Sequence, residues 1–209
     1  MARLQYAALK PGGHFHRAHR GESMDWQAAF STALNYDSFL SRYGAPHYSE
    51  RWRAVLDRVQ LSPSQRQLLA SFARDMNVLC LAGAWCGDCI QQCPIFEQFA
   101  RTSSRIHLRF LDRDEHHLIQ QELSINGGKR VPVVVFLSED YYEIARYGER
   151  TLAQYRRMAR EQLGPSCPTG LTEPSADSLA ATAQDWLDEF ERVQLLLRLS
   201  PRLRQKHQD

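Results

Sequence analysis

The spacing of apolar positions changes along the chain and marks out its elements. From Asp25, Trp26, Phe30, Ala33, Leu34 and Leu40 recur every three to four residues, the period of a helix buried on one side, and Gly44 and Pro46 end the run. Trp52, Val55, Leu56 and Val59 predict a second helix over residues 49–59. Ser62-Pro63-Ser64-Gln65 then reads as an N-cap, a proline at the first helical position and a capping-box glutamine. The helix it opens carries Leu68, Leu69 and Phe72 inward and stops near Asp75. There the period shifts. Residues 78–82 are a short apolar run, predicted as a buried central strand. Residues 86–100 return to helical spacing, 106–111 alternate as a strand, and 114–123 are helical again. Residues 131–137 give the strongest strand signal, and Ser138-Glu139-Asp140 turns them into 141–147 as an antiparallel hairpin. An amphipathic helix over 151–163 follows, closed by Gly164-Pro165.

This order of elements implies an α/β fold, a central mixed sheet flanked by helices, with added helices at both ends. The organisation expected is a flexible polar tail over 1–22, a helical extension over 23–62, the α/β domain over 63–165, a linker over 166–175, and a C-terminal helix and tail over 176–209. In the last helix Leu179, Ala183, Trp186, Phe190, Val193 and Leu197 form a heptad-like stripe. The stripe suits packing on its own domain, and a homodimer through this helix is the other use it could serve. The basic end, 201–209, is expected to fray.

Composition narrows the function. Hydrophobic residues make up 43% of the chain and charged residues 24%, which supports a packed core and excludes global disorder. The 26 basic and 24 acidic side chains leave +2, too balanced to argue for a nucleic-acid partner, and no basic stripe carries interleaved aromatics. No apolar run approaches the ~18–20 residues needed to cross a bilayer, so no membrane partner is expected. Residues 1–21 have no apolar signal-peptide core. The expected location is cytoplasmic.

The five cysteines change the picture. Cys80, Cys86, Cys89 and Cys93 lie close together and Cys167 stands apart, unlike the spaced, even framework of a secreted scaffold. Trp85-Cys86-Gly87-Asp88-Cys89 places two thiols two residues apart where a strand gives way to a helix. Unpaired N–H groups and the positive dipole end at a helix start stabilise a thiolate, so Cys86 is expected to be more acidic than free cysteine and to attack. Cys89, one turn further in, would resolve the mixed disulfide. Gly87 is expected to permit the tight turn between them. Asp88 is read three ways: as a solvated side chain, as a charge that raises the Cys86 pKa, or as a proton acceptor for Cys89. Cys93, four residues on, lies on the same helical face; it is either core filling or an auxiliary thiol. Cys80 is expected to be core.

These residues resemble the thioredoxin family. The resemblance rests on Trp85-Cys86-Gly87-Asp88-Cys89, on Pro94 in the following helix and on Val131-Pro132 at the head of a hairpin strand, and covers roughly 63–165. The helical N-terminal extension is similar to that of a bacterial subgroup. The resemblance implies a cis Val131–Pro132 bond, Pro132 lying against Cys86, a Val131 backbone that pairs with an extended substrate segment, and Trp85 bordering the docking surface. It also implies protein disulfide substrates, a reductase or small thiol as electron donor, and no cofactor beyond the Cys86–Cys89 disulfide. Arg130, beside that loop, is either a charge that offsets Asp88 and favours anionic substrates or an ordinary surface arginine. The departures are Asp88 in place of the family's proline, Cys80 in place of its buried acid and Ala82 in place of a tryptophan. They give weight to a rival, a non-catalytic interaction module on the same fold. A metal site would need more than the sulfurs of Cys86, Cys89 and Cys93; His14, His16 and His19 or His116 and His117 could add nitrogen, but no second spaced pair exists, and no metal is expected. A peroxidase or glutathione-transferase role fits a two-cysteine motif less well than dithiol exchange.

Overall fold

The computed structural model describes residues 24–163 and 177–209. The tail expected over 1–22, the linker over 166–175 and Cys167 lie outside the described residues. Helices α1 (Trp26–Thr32), α2 (Tyr36–Tyr43), α3 (Pro46–Arg58) and α4 (Pro63–Ala70) precede strand β1 (Met76–Ala82). Then come α5 (Gly87–Thr102), β2 (Ile106–Asp112), α6 (His117–Glu122), β3 (Val133–Ser138), β4 (Glu143–Gly148) and α7 (Leu152–Leu163). Helices α8 (Ser178–Leu199) and α9 (Pro201–His207) close the chain. The sheet order is β2-β1-β3-β4, with β1 parallel to β2 and the other pairs antiparallel. It is the mixed sheet flanked by helices that the pattern implied.

Register fixes what faces what. Cys80 pairs with Phe110 on one side and Val134 on the other, so all three point to one face of the sheet. Strands β1 and β3 are buried along their whole length, which explains why they read as continuous apolar runs. Two aromatic clusters cover the Cys80 face. Tyr36 and Phe39 of α2 and Trp52 of α3 meet Phe110 at ring separations of 6.0, 5.4 and 6.2 Å. Phe190 of α8 stands edge-on to Phe136 at 5.0 Å and to Phe99 of α5 at 5.2 Å. The heptad-like stripe of α8 is therefore occupied within the chain: Ala183, Trp186, Phe190, Val193 and Leu197 are all buried. A second copy would have to use the other side, where Leu195, Leu196 and Leu199 are exposed.

Several boundaries differ from the sequence pattern, each for a local reason. The first predicted helix is two helices. Asn35 caps α2 by accepting the Ser38 N–H at 2.8 Å, so the chain is extended before it, and Leu34 exchanges backbone hydrogen bonds with Phe110 at 2.9 and 2.7 Å. Pro46 starts a helix rather than ending one; as first residue of α3 it lacks only an N–H that would have no intrahelical partner. The capping box at Ser62 and Gln65 forms as read. Strand β3 begins at Val133 because Pro132 has no N–H for the ladder. The basic end does not fray. Helix α9 buries Leu203 completely, Arg202 pairs with Asp140, Lys206 and His207 both reach Glu139, and Arg74 pairs with Asp209.

Candidate active site

The site forms where β1 hands over to α5. Residues 83–86 make the turn, closed by the Cys86 N–H to the Gly83 carbonyl at 2.9 Å. Trp52, fully buried on α3, donates its indole N–H to the Ala84 carbonyl at 2.9 Å and ties the N-terminal extension to this turn. Cys86 is the N-cap of α5 and half-buried; Cys89, in the first turn, has no exposed surface. Gly83 N–H points at the Cys89 sulfur at 3.5 Å. Trp85 is 43% exposed and lies across Gly83, where a Cβ would meet its ring at 3.0 Å. The Arg113 guanidinium sits 4.6 Å from the Trp85 ring on its way out of β2.

The second wall comes from the loop before β3. The Val131–Pro132 bond is cis, and the Cys86 sulfur donates to the Val131 carbonyl at 3.6 Å. Gly148, at the end of β4, packs against this loop at φ +150°, and a Cβ there would lie 2.4 Å from the Pro132 carbonyl oxygen. The Gly148–Glu149 bond is cis as well. Gly87 differs. It has no positive φ, and a Cβ there would meet nothing within 4 Å. The turn therefore does not require glycine at 87, contrary to the sequence expectation. Its lack of a side chain leaves open space beside Cys86.

Charges around the dithiol are paired in a way the sequence did not foretell. Asp88 is not a solvated side chain: Arg150 grips it with contacts of 3.2 and 2.6 Å. Arg130, read either as an offset to Asp88 or as an ordinary surface arginine, reaches Glu149 at 3.3 Å and keeps half of its side chain exposed. Glu149 is buried and also accepts from Arg150 at 3.3 Å and from the Tyr155 hydroxyl at 3.1 Å. Behind it, Gln92 donates to the Glu149 backbone carbonyl at 2.8 Å and accepts from the Trp186 indole at 2.8 Å. Arg113, Glu149, Arg150, Gln92 and Trp186 are the site residues that sequence reasoning missed. The only local hint was that 148–150 directly follow the hairpin strand paired with the Val131–Pro132 loop.

The acidities of the two thiols are linked. The hydrogen bond to Cys89 pushes the Cys86 thiol up; burial and the Cys89 charge add to this, and the Cys89 and Asp88 N–H groups oppose it. Burial pushes Cys89 up, but hydrogen bonds from the Cys86 and Cys93 thiols and from Gly83 N–H outweigh it and bring Cys89 down to about 5. These shifts run against the expectation of an acidic Cys86, whose thiol they push up, and the two protons belong to the pair rather than to either sulfur. The Asp88 charge acts on Cys89, which it pushes up. Further in, Cys93 and Cys80 are fully buried with sulfurs 3.9 Å apart, and burial pushes both thiols up.

Among the described residues no group of three or more His, Cys, Asp or Glu is placed to hold a metal ion. His14, His16 and His19 lie outside those residues. Among the same residues no helix is long and apolar enough to cross a membrane.

A strand-to-helix turn bearing two thiols, facing a cis-proline loop at the head of the next sheet strand, defines the class as thioredoxin-fold. The family model described as thioredoxin matches residues 33–161, more than half of the chain, and the chain belongs to the thioredoxin family. It is similar to PA1234 from Pseudomonas aeruginosa, a protein of unknown function, at 16% identity and a TM-score of 0.64, over 80% of this chain and 95% of that one. It is also similar to an HIV epitope-scaffold at 16% identity and a TM-score of 0.57, over 81% of this chain and 92% of that one. At such identity these likenesses concern the fold. None of the curated proteins matches the chain.

Proposed function

We propose that this protein is a thiol–disulfide oxidoreductase that exchanges disulfides with protein substrates. The observation that carries the reading is the placement of two sulfurs. Cys86 is half-buried at the start of α5 beside the Val131 carbonyl, and Cys89 is wholly buried behind it. Only Cys86 can meet a client. In this reading its proton passes to the Cys89 thiolate as it attacks. A Cys86–client disulfide forms and the first client sulfur leaves with that proton. Cys89, again a thiolate, then attacks Cys86; the Cys86–Cys89 disulfide forms and the second client sulfur is released. The client disulfide is reduced to a dithiol, and the protein dithiol is oxidised to the Cys86–Cys89 disulfide. A reductase or a small thiol restores it, and no other cofactor is required.

In this reading the client segment lies extended along the Val131 backbone, over the open space at Gly87, between Trp85 and Arg130. Its setting is the cytoplasm, on the reducing-compartment argument made from the cysteines. The rival, an interaction module with a silent dithiol, draws on Cys80 and Ala82, which replace the family's acid and tryptophan. Insulin reduction driven by dithiothreitol separates the two. The wild-type chain is expected to raise the turbidity rate well above buffer, Cys86→Ser to match buffer, and Cys89→Ser to accumulate as a mixed disulfide with insulin. Equal rates for wild type and Cys86→Ser would leave the interaction module standing.

A further inference from the structure

Two of the clustered thiols have no part in that cycle, yet they continue its line of sulfurs inward. Cys93 lies one turn beyond Cys89 on the same face of α5. Cys80, on the central strand, points at Cys93 with 3.9 Å between the sulfurs. Both are completely buried. No client and no bulky reductant can reach them except through Cys89. The Tyr36 phenol, 3% exposed and with its hydroxyl unpartnered, is electrostatically coupled to Cys93, so the inner end of the line is not purely apolar.

We propose that Cys80 and Cys93 form a second, internal disulfide, filled by transfer from Cys86–Cys89, which makes the chain a four-electron rather than a two-electron carrier. The inference rests on the dithiol reading above. In the first step the Cys93 sulfur attacks Cys89 in the Cys86–Cys89 disulfide; the Cys89–Cys93 bond forms, Cys86 is released, and the proton of Cys93 ends on Cys86. In the second step Cys80 attacks Cys93; the Cys80–Cys93 bond forms and Cys89 is released with the proton of Cys80. One disulfide has moved inward, no outside oxidant is consumed, and the outer pair is again a dithiol able to take a second client disulfide.

Geometry sets the pace of this transfer. The 3.9 Å between Cys80 and Cys93 must close to about 2.05 Å, which side-chain rotation and a small shift of α5 against β1 have to supply. Cys89 and Cys93 start about 5–6 Å apart at Cβ, as any pair one helical turn apart does, and a bridged pair needs about 4 Å. That turn is the one already weakened by Pro94, which has no N–H to give the Ile90 carbonyl. Burial also keeps the attacking thiols protonated, so the inner step is slower than the outer one.

The test counts disulfides. Reduced full-length protein is mixed with excess native insulin without other reductant, quenched with acid, and mapped by mass spectrometry after alkylation, while released insulin thiols are counted. The wild type is expected to consume two insulin disulfides per chain, the second more slowly, and to end with Cys86–Cys89 and Cys80–Cys93 bridges and an alkylated Cys167. Cys93→Ala and Cys80→Ala are each expected to stop at one, and the wild-type map stands even if either fails to fold. A wild type that stops at one, with Cys80 and Cys93 both alkylated, overturns the inference and leaves the dithiol reading intact. A wild type that consumes none overturns both.

Discussion

Two glycines flank the dithiol, and their backbones assign them opposite roles. At Gly148 the positive φ and the 2.4 Å approach to the Pro132 carbonyl leave no room for a Cβ, and the atoms it would strike are backbone that cannot turn aside. Gly148→Ala is expected to lower stability by roughly 1–3 kcal/mol and to slow insulin reduction by displacing the Val131–Pro132 loop. Gly87→Ala is expected to leave stability unchanged or raise it by up to about 1 kcal/mol, because the site is helical and open. Urea midpoints measured for both variants check the pair; equal losses would show that the contact at Pro132 is not the deciding one. At this scale the sequence was legible where chemistry is local. Cys86, Cys89, Trp85 and Val131-Pro132 could be picked out because their spacing carries the signal. Arg150 could not, since it meets Asp88 across 62 residues of chain, and no periodicity records a contact that the sheet order creates. The linked acidity of the two thiols was hidden for a related reason: helix-dipole reasoning sees Cys86 alone, whereas burial and the Gly83 N–H act on Cys89.

Among the elements, α8 matters beyond its heptad-like stripe. Trp186 fills the space between Phe96, at 4.4 Å, and Tyr147, at 4.9 Å, and its indole N–H holds Gln92, which holds the Glu149 backbone beside Arg130 and Arg150. The added C-terminal helix therefore supports the active-site charges through one buried polar chain. Trp186→Ala is expected to cost about 3–5 kcal/mol through lost packing. Trp186→Phe keeps most of the ring but strands the Gln92 oxygen, for about 1–3 kcal/mol. Thermal or urea unfolding gives the stabilities. If Trp186→Phe matches wild type, the Gln92 link carries no weight. Period and length made α8 visible in the sequence, and burial of its stripe follows from the pattern. What the pattern left open was the partner, because a stripe of Leu, Ala, Trp and Phe suits a second copy as well as Phe96, Phe99 and Phe136. The break at Leu34 was hidden by the same ambiguity, since its apolar side chain fits the helical period while its backbone serves the edge of β2.

Across the whole molecule, the C-terminus closes back on the β3–β4 turn, and charge decides when it does so. Glu139 and Asp140 sit at that turn and meet Lys206, His207 and Arg202 from α9. Burial pushes both carboxyls up, but hydrogen bonds from Lys206 and His207 to Glu139, and from Arg202 and Ser138 to Asp140, outweigh it and hold both below their ordinary values. A carboxylate with a depressed folded pKa is protonated first in the unfolded chain. Its stabilisation is complete above the ordinary range of about 4 and disappears as pH falls through the lower folded values. The cations are largely exposed, so the effect is modest and weakens with salt. What anchors α9 when the charges fail is Leu203, which is fully buried, and Leu203→Ala is expected to cost about 2–5 kcal/mol. Protection of the α9 amides, taken as the intrinsic exchange rate at each pH divided by the observed rate, is therefore expected to fall below pH 4 in the wild type, and to be already low at pH 6 in a Glu139→Gln, Asp140→Asn variant, with the two proteins converging in acid. Wild-type amides whose protection does not change between pH 6 and pH 3 would show that Leu203 alone holds the helix.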